Sequence, residues 1–243
     1  MEINSESHSQ HISRQFNQEL EELKTHLMAM GGLVEKQVQD AITALLENDS
    51  KLATKVRDND REVNDLHLQI DEECTRILAR RQPAASDLRL VLAVIRASSD
   101  LERIGDEASK IARNAISLTE SNNVIRGLVE VRHISEHVRK MLRDALTSFA
   151  RFDLELAIEV VREDELVDDE YGSAMRSLIT FMAEDARSIS SVLSVMWILR
   201  ALERVGDHAD NLAEHVVYLV KGLDIRHSDP DTLEATVLDR DKS

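Results

Sequence analysis

Apolar residues at Phe16, Leu20, Leu23, Leu27, Met30, Val34, Val38, Ala41 and Leu45 recur at steps of three and four. That spacing lines one face of an α-helix, so it predicts a first helix over about 13–47. Asn48-Asp49-Ser50 interrupts the pattern, and Ser50 is placed to cap a second helix reaching about Arg80. Gln82-Pro83 closes that helix, because the residue before a proline is driven out of the helical region. A third helix leads from Asp87 to about Leu118.

After Ser121-Asn122-Asn123 the same cycle restarts. A fourth helix covers about 124–150, and Asp153 can cap a fifth that reaches about 183. Ser188 precedes a sixth, which ends near Lys221 with Gly222 as its stop. Residues 1–11 and 223–243 are polar and aperiodic and read as tails, leaving units at 12–119 and 124–222.

The cycle is an internal duplication. LERIGD from Leu101 returns as LERVGD from Leu202, differing only at Ile104 and Val205. Val56-Arg57-Asp58-Asn59-Asp60 is echoed by Val160-Val161-Arg162-Glu163-Asp164, and Asp40-Ala41 by Asp144-Ala145. Repeats of about 100 residues are too long for the common helical solenoids. The expected fold is all-α: two tandem three-helix bundles related by duplication.

Composition agrees: 243 residues with 42% hydrophobic, 3% aromatic, 7 Gly and 2 Pro suit long helices and leave little for turns of a β fold. Cys74 is the only cysteine, which excludes an intrachain disulfide and fits a reducing cytosol. Its place in an apolar pattern with Ile70 and Ile77 predicts burial. The opening residues Met1-Glu2-Ile3-Asn4-Ser5 show no basic region followed by an apolar stretch, so no secretion signal is expected. No apolar run approaches the roughly 20 residues of a membrane span, so no insertion is expected either. A net charge of −16 argues against nucleic acid, whose phosphates need clustered Lys and Arg, and suits binding of cations or basic surfaces.

The duplicated hexamer carries the candidate chemistry. A helical walk from Leu88 passes Leu92, Ile95 and Ser99 to Glu102 and Asp106. The equivalent walk from Ile189 passes Leu193, Met196 and Arg200 to Glu203 and Asp207. The carboxylates are thus expected to continue a packing seam. Gly105 and Gly206 sit mid-helix beside them at a cost of roughly 1 kcal/mol against alanine, which predicts close approach of another group. Acids four apart lie about 5–6 Å from each other, and at an effective dielectric near 20 they repel by roughly 3 kcal/mol. A divalent cation would offset that; the alternative is a solvated face neutralised by Arg103, Arg204 and their neighbours. Asp60 and Asn64 on the second helix, and Asp164 and Asp168 on the fifth, are available as partners. Asp210 and Asn211 extend the second site, where the first has Ser109 and Lys110, so the second is expected to be the richer.

Enzyme readings find less support. His133-Ile134-Ser135-Glu136-His137 matches the H-x-x-E-H zinc-protease string, but the apolar face of its helix runs through Val131, Ile134, Val138, Met141, Leu142 and Ala145, which turns both histidines to solvent. A ferritin-like protein with storage or oxidase activity is the alternative among carboxylate bundles. It needs a Glu-x-x-His on each of two helices, and the chain offers one, from Glu130 to His133. Trp197, Met196 and Met182 read as core residues, and His208 as turned away from the acids.

The stretches ARRQPAASDLRLVLAVIRASSDLERIGDEASKIAR and LRALERVGDHADNLAEHV resemble the PhoU family, and the resemblance extends over nearly the whole chain. It implies two three-helix bundles with a Glu/Asp-x-x-x-Asp pattern in each half, which falls here on Glu102, Asp106, Glu203 and Asp207. It also implies multinuclear iron or zinc clusters on the outer surface of the bundles, with magnesium or manganese as further candidates. The activity implied is not enzymatic. Members are homodimeric cytoplasmic adaptors, working peripherally at the inner membrane face. When phosphate is plentiful they restrain the phosphate ABC transporter through its ATPase subunit and silence the response run by a membrane sensor histidine kinase.

Overall fold

The three-and-four spacing is realised as helix almost throughout. In the computed structural model the described residues are 5–120 and 125–225, with side chains described from residue 14 onward. They form α1 (Ser5–Leu46), α2 (Ser50–Arg81), α3 (Ala85–Glu120), α4 (Leu128–Arg151), α5 (Leu154–Glu184) and α6 (Ile189–Lys221). A 3-10 turn, Ala186–Ser188, precedes α6, and no strand occurs among the described residues.

Several boundaries follow from local chemistry. Asp49, not Ser50, caps α2: its carboxylate accepts from the Lys51 and Leu52 amides at 2.9 and 3.0 Å, and Ser50 is the first helical residue. Asp153 caps α5 as the sequence suggests, accepting from the Leu156 amide at 3.1 Å. Gly222 ends α6 at φ 70°, with its amide donating to the Tyr218 carbonyl at 2.8 Å. Ser188 does not cap α6; its hydroxyl donates back to the Asp185 carbonyl at 2.7 Å. α4 starts later than its apolar pattern, because Gly127 at φ 89° is left-handed. α1 begins at Ser5, so part of the expected N-terminal tail is helical. Residues 226–243 of the expected C-terminal tail lie outside the described residues.

Helices α1–α3 and α4–α6 make the two bundles. The most extensive helix–helix interface joins them: α3 runs antiparallel to α6, with Arg89 donating to the Leu219 carbonyl at 3.2 Å and Glu107 paired with Arg204 at 2.8 Å. A second junction joins α1 to α4, where a Cβ on Gly31 would come within 2.5 Å of Leu146 Cδ2. The inner layer is therefore α1, α3, α6 and α4, with α2 and α5 packed outside. Leu27, Met30, Leu101, Ile104 and Ile111 are fully buried, as are Ile134, Met141, Leu142 and Phe149. Each such side chain contributes about 1.5–3 kcal/mol.

Two expectations need correction. The core line of α3 is Val91, Val94, Leu101, Ile104 and Ala108, so the walk from Leu88 to Asp106 runs along its rim. Leu88, Leu92 and Ile95 are half-buried, Ser99 is exposed, and Ile189 and Leu193 on α6 are exposed as well. Trp197 is not a core residue but is 66% exposed. The inward face of α6 is taken by Val195, Ile198 and Leu199, and one residue of helix rotates a side chain by about 100°. Met196 and Met182 are partly buried against the core, and Cys74 is fully buried, where desolvation pushes its thiol up to about 12.

Candidate metal centre

An acid from the second helix of its bundle lies at ordinary contact distance from a Cβ added at each mid-helix glycine; at Gly105, Gln37 Oε1 of α1 comes closer, at 3.3 Å. A Cβ on Gly105 would lie 3.7 Å from Asp60 Oδ1, and one on Gly206 would lie 3.5 Å from Asp164 Oδ1. The duplicated hexamers thus bring Asp60 towards α3 and Asp164 towards α6 at matching levels.

In the second half, ligand oxygens of Asp168 on α5 and of Glu203 and Asp207 on α6 lie within 4.8 Å of one another. Glu203 is only 8% exposed. Arg200 hydrogen-bonds its Oε1, while its Oε2 is buried without a hydrogen-bond partner. Burial, then the neighbouring Asp207 charge, pushes Glu203 up to about 7 against the pull of Arg200. Asp164 is raised to about 7 by burial and by Asp207, Asp168 and Glu203. Asp210 is raised to about 8 by burial and by Asp164, Glu214 and Asp207, and its Oδ1 also has no partner. Burial and Asp168 raise Asp207 too. These are carboxylates held together against their mutual repulsion, which Arg200 and Arg204 offset only in part.

The first half has been satisfied differently. Asp60 accepts from the Ser109 hydroxyl at 3.1 Å, and Ser109 stands where the second half has Asp210. Arg103 approaches Glu102 at 3.5 Å and Asp106 at 3.6 Å. Asn64 stands in the place of Asp168, so fewer negative charges meet there.

Not every acid-seam residue named from sequence joins its cluster. Asn211 is turned towards α3, where it donates to Asp100 Oδ1 at 3.3 Å. His208 and His215 bind the same carboxylate at 2.9 and 2.8 Å, forming a knot between the two bundles. Burial opposes ionisation of Asp100, but the hydrogen bonds from His208 and His215 outweigh it and hold the carboxyl below its ordinary range. No local pattern marked Asp100 in the sequence; its partners lie on α6, more than a hundred positions along the chain. In the H-x-x-E-H stretch, His133 is exposed and His137 pairs with Glu163 and Glu170, so the two histidines do not converge. Glu130 accepts from Ser177 at 3.2 Å.

Fold and site together define a duplicated six-helix protein with, among the described residues, one dense carboxylate cluster contributed by α5 and α6. A family model of the PhoU domain matches twice, over residues 27–115 and 131–216, and the chain belongs to the PhoU family. It is 62% identical over 225 residues to the phosphate-specific transport system accessory protein PhoU homolog of Pseudomonas putida, covering 93% of this chain and 88% of that one. It is 45% identical over 234 residues to the Escherichia coli K12 accessory protein PhoU, covering 96% of each. Among solved structures, the crystal structure of PhoU from Pseudomonas aeruginosa superposes with a TM-score of 0.84 at 59% identity, covering 86% of this chain and all, 100%, of that one. The phosphate transport system regulatory protein PhoU from Streptococcus pneumoniae gives 0.80 at 30% identity, covering 86% and 98%.

Proposed function

We propose that this chain is a regulatory accessory protein of phosphate uptake. It restrains a phosphate ABC transporter through the ATPase subunit and keeps the partner sensor histidine kinase silent when phosphate is plentiful. The observation that carries the reading is similarity along both repeats to relatives named as accessory proteins of the phosphate-specific transport system. No helix among the described residues is long and apolar enough to cross a membrane; in this reading the chain acts at the cytoplasmic membrane face by contacting its partners. A homodimer, as the family resemblance implies, belongs to the same reading. Deleting the gene should raise a phosphate-starvation reporter in phosphate-rich medium; expression that stays low sinks the regulatory reading.

The same reading includes a cation on the second half, held by Asp168, Glu203 and Asp207 with Asp164 and Asp210 at its base. Its support is the orphaned, buried Glu203 Oε2 and the concentration of acids around it. All-oxygen donors suit hard or borderline ions, which makes iron, zinc, magnesium and manganese the candidates. A bound cation would supply the positive charge that lets these carboxylates ionise together. Glu102, Asp106 and Asp60 form the weaker counterpart. A ferritin-like oxidase is the poorer reading, since that chemistry uses histidine ligands from Glu-x-x-His motifs. Here Glu130 accepts from Ser177, and His208 is engaged by Asp100.

A further inference from the structure

The outer groove between α5 and α6 presents an apolar face with nothing packed on it among the described residues. Tyr171, Met175 and Ile179 follow at four-residue intervals along α5, and Ile189, Leu193 and Trp197 do the same along antiparallel α6. Ile179 is 54% exposed, Ile189 41% and Leu193 43%. Tyr171, Met175, Leu193, Met196 and Trp197 line a cavity of about 260 Å³. On the other side of Trp197 a cleft of about 440 Å³ is bordered by Lys110, Arg200 and Arg204, with Glu107 also in its wall. Trp197 is the only tryptophan of a chain with 3% aromatics, and it stands in water. Monomer surfaces rarely leave such a patch uncovered, and an exposed Trp flanked by half-buried Tyr and Met and by Arg has the composition of a binding hot spot.

The rim adds a sign. Glu107, 2% exposed, holds both Lys110 Nζ and Arg204 Nε at 2.8 Å, and Glu203 holds Arg200. The cleft beside the exposed indole thus carries Lys110, Arg200 and Arg204 against the one acid Glu107 in its wall, a local positive excess on a chain whose net charge is −16. A two-fold self-contact through this face would bring two such rims together, which disfavours a second copy.

We propose that the Trp197 face is a docking surface for an amphipathic helix of a partner protein. The helix lays aliphatic residues on Tyr171, Leu193 and Trp197 and carries Asp or Glu along the edge that meets Lys110, Arg200 and Arg204. The proposal rests on the reading of the chain as an adaptor.

The test titrates the full-length protein by calorimetry with the purified ATPase subunit and, separately, with the cytoplasmic part of the sensor kinase, at low and high salt. Wild type should bind at least one of them, more weakly at high salt. Leu193→Ala/Trp197→Ala should weaken that binding by at least about tenfold, the loss typical of hot-spot residues. Val129→Ala, at a 67% exposed position on α4, should bind as wild type. Both altered side chains of the double variant are solvent-exposed, and matched melting curves confirm that it folds. Unchanged affinity of the double variant overturns the docking face and leaves the adaptor reading standing. Failure of wild type to bind either titrant overturns the adaptor reading and the proposal with it. Salt-independent binding overturns the acidic chemistry of the partner. If the double variant loses only self-association in sedimentation, or only binding to anionic vesicles, the face belongs to a second copy or to lipid and the proposal fails.

Discussion

Arg200 and Glu203, one turn apart on α6, share a hydrogen bond through Glu203 Oε1, while Oε2 of the same carboxylate is buried without a partner in a residue clustered with Asp168 and Asp207. Arg200, with Arg204 beside it, thus serves only part of a cluster of acids.

That imbalance predicts where metal is retained. Glu203→Ala/Asp207→Ala should lose most bound metal after dialysis against iron, zinc or manganese, whereas Glu102→Ala/Asp106→Ala should lose little. Chelator should lower the melting temperature of wild type but not of the first double variant. With chelator present, that variant should melt at or above wild type, because a repelling pair has been removed. Metal content equal across all three proteins, with melting insensitive to chelator, rules the site out.

The same carboxylates set a pH dependence. Unfolded, they ionise near pH 4, whereas in the fold Glu203 and Asp164 hold protons to about 7 and Asp210 to about 8. Between those limits the folded state binds more protons, so stability falls as pH rises. Thermal melts in chelator should show the melting temperature dropping from mildly acidic pH towards pH 8. Saturating cation should flatten or reverse that slope, since it competes with the protons. A chelated protein that gains stability over this range contradicts the arrangement.

Asp100 ties α3 to α6 through His208, Asn211 and His215. Replacing it with alanine removes a buried charged acceptor from three donors and should cost about 2–3 kcal/mol in urea unfolding. His133→Ala, at an exposed position, should stay within about 0.5 kcal/mol of wild type.

Two glycines give opposite expectations. Gly127 holds φ +89°, and a Cβ there would meet Leu178 Cδ2 at 2.6 Å, so Gly127→Ala should destabilise by about 1–3 kcal/mol. Gly32 lies within α1 with nothing within 4 Å of an added Cβ, so Gly32→Ala should stabilise by up to about 1 kcal/mol. Denaturant midpoints measure both.

What the sequence determined by itself is local or repetitive. The steps of three and four gave the six helices; Asp153 and Gly222 marked ends because their own side chain or missing Cβ does the capping. The paired hexamers located the acids, and the exchange of Asp168 and Asp210 for Asn64 and Ser109 already made the second cluster the denser one. Only the tertiary structure decided which way boundary residues face. α6 packs against α3, α4 and α5 at once, so its buried arc is wide and its solvent strip narrow. A turn of about 100° per residue then separates Val195 inside from Trp197 outside, and Asp210 among the acids from Asn211 against Asp100. Hydrophobicity along one helix carries no information on how many neighbours it has or on which sides they lie; those neighbours are fixed by residues far along the chain.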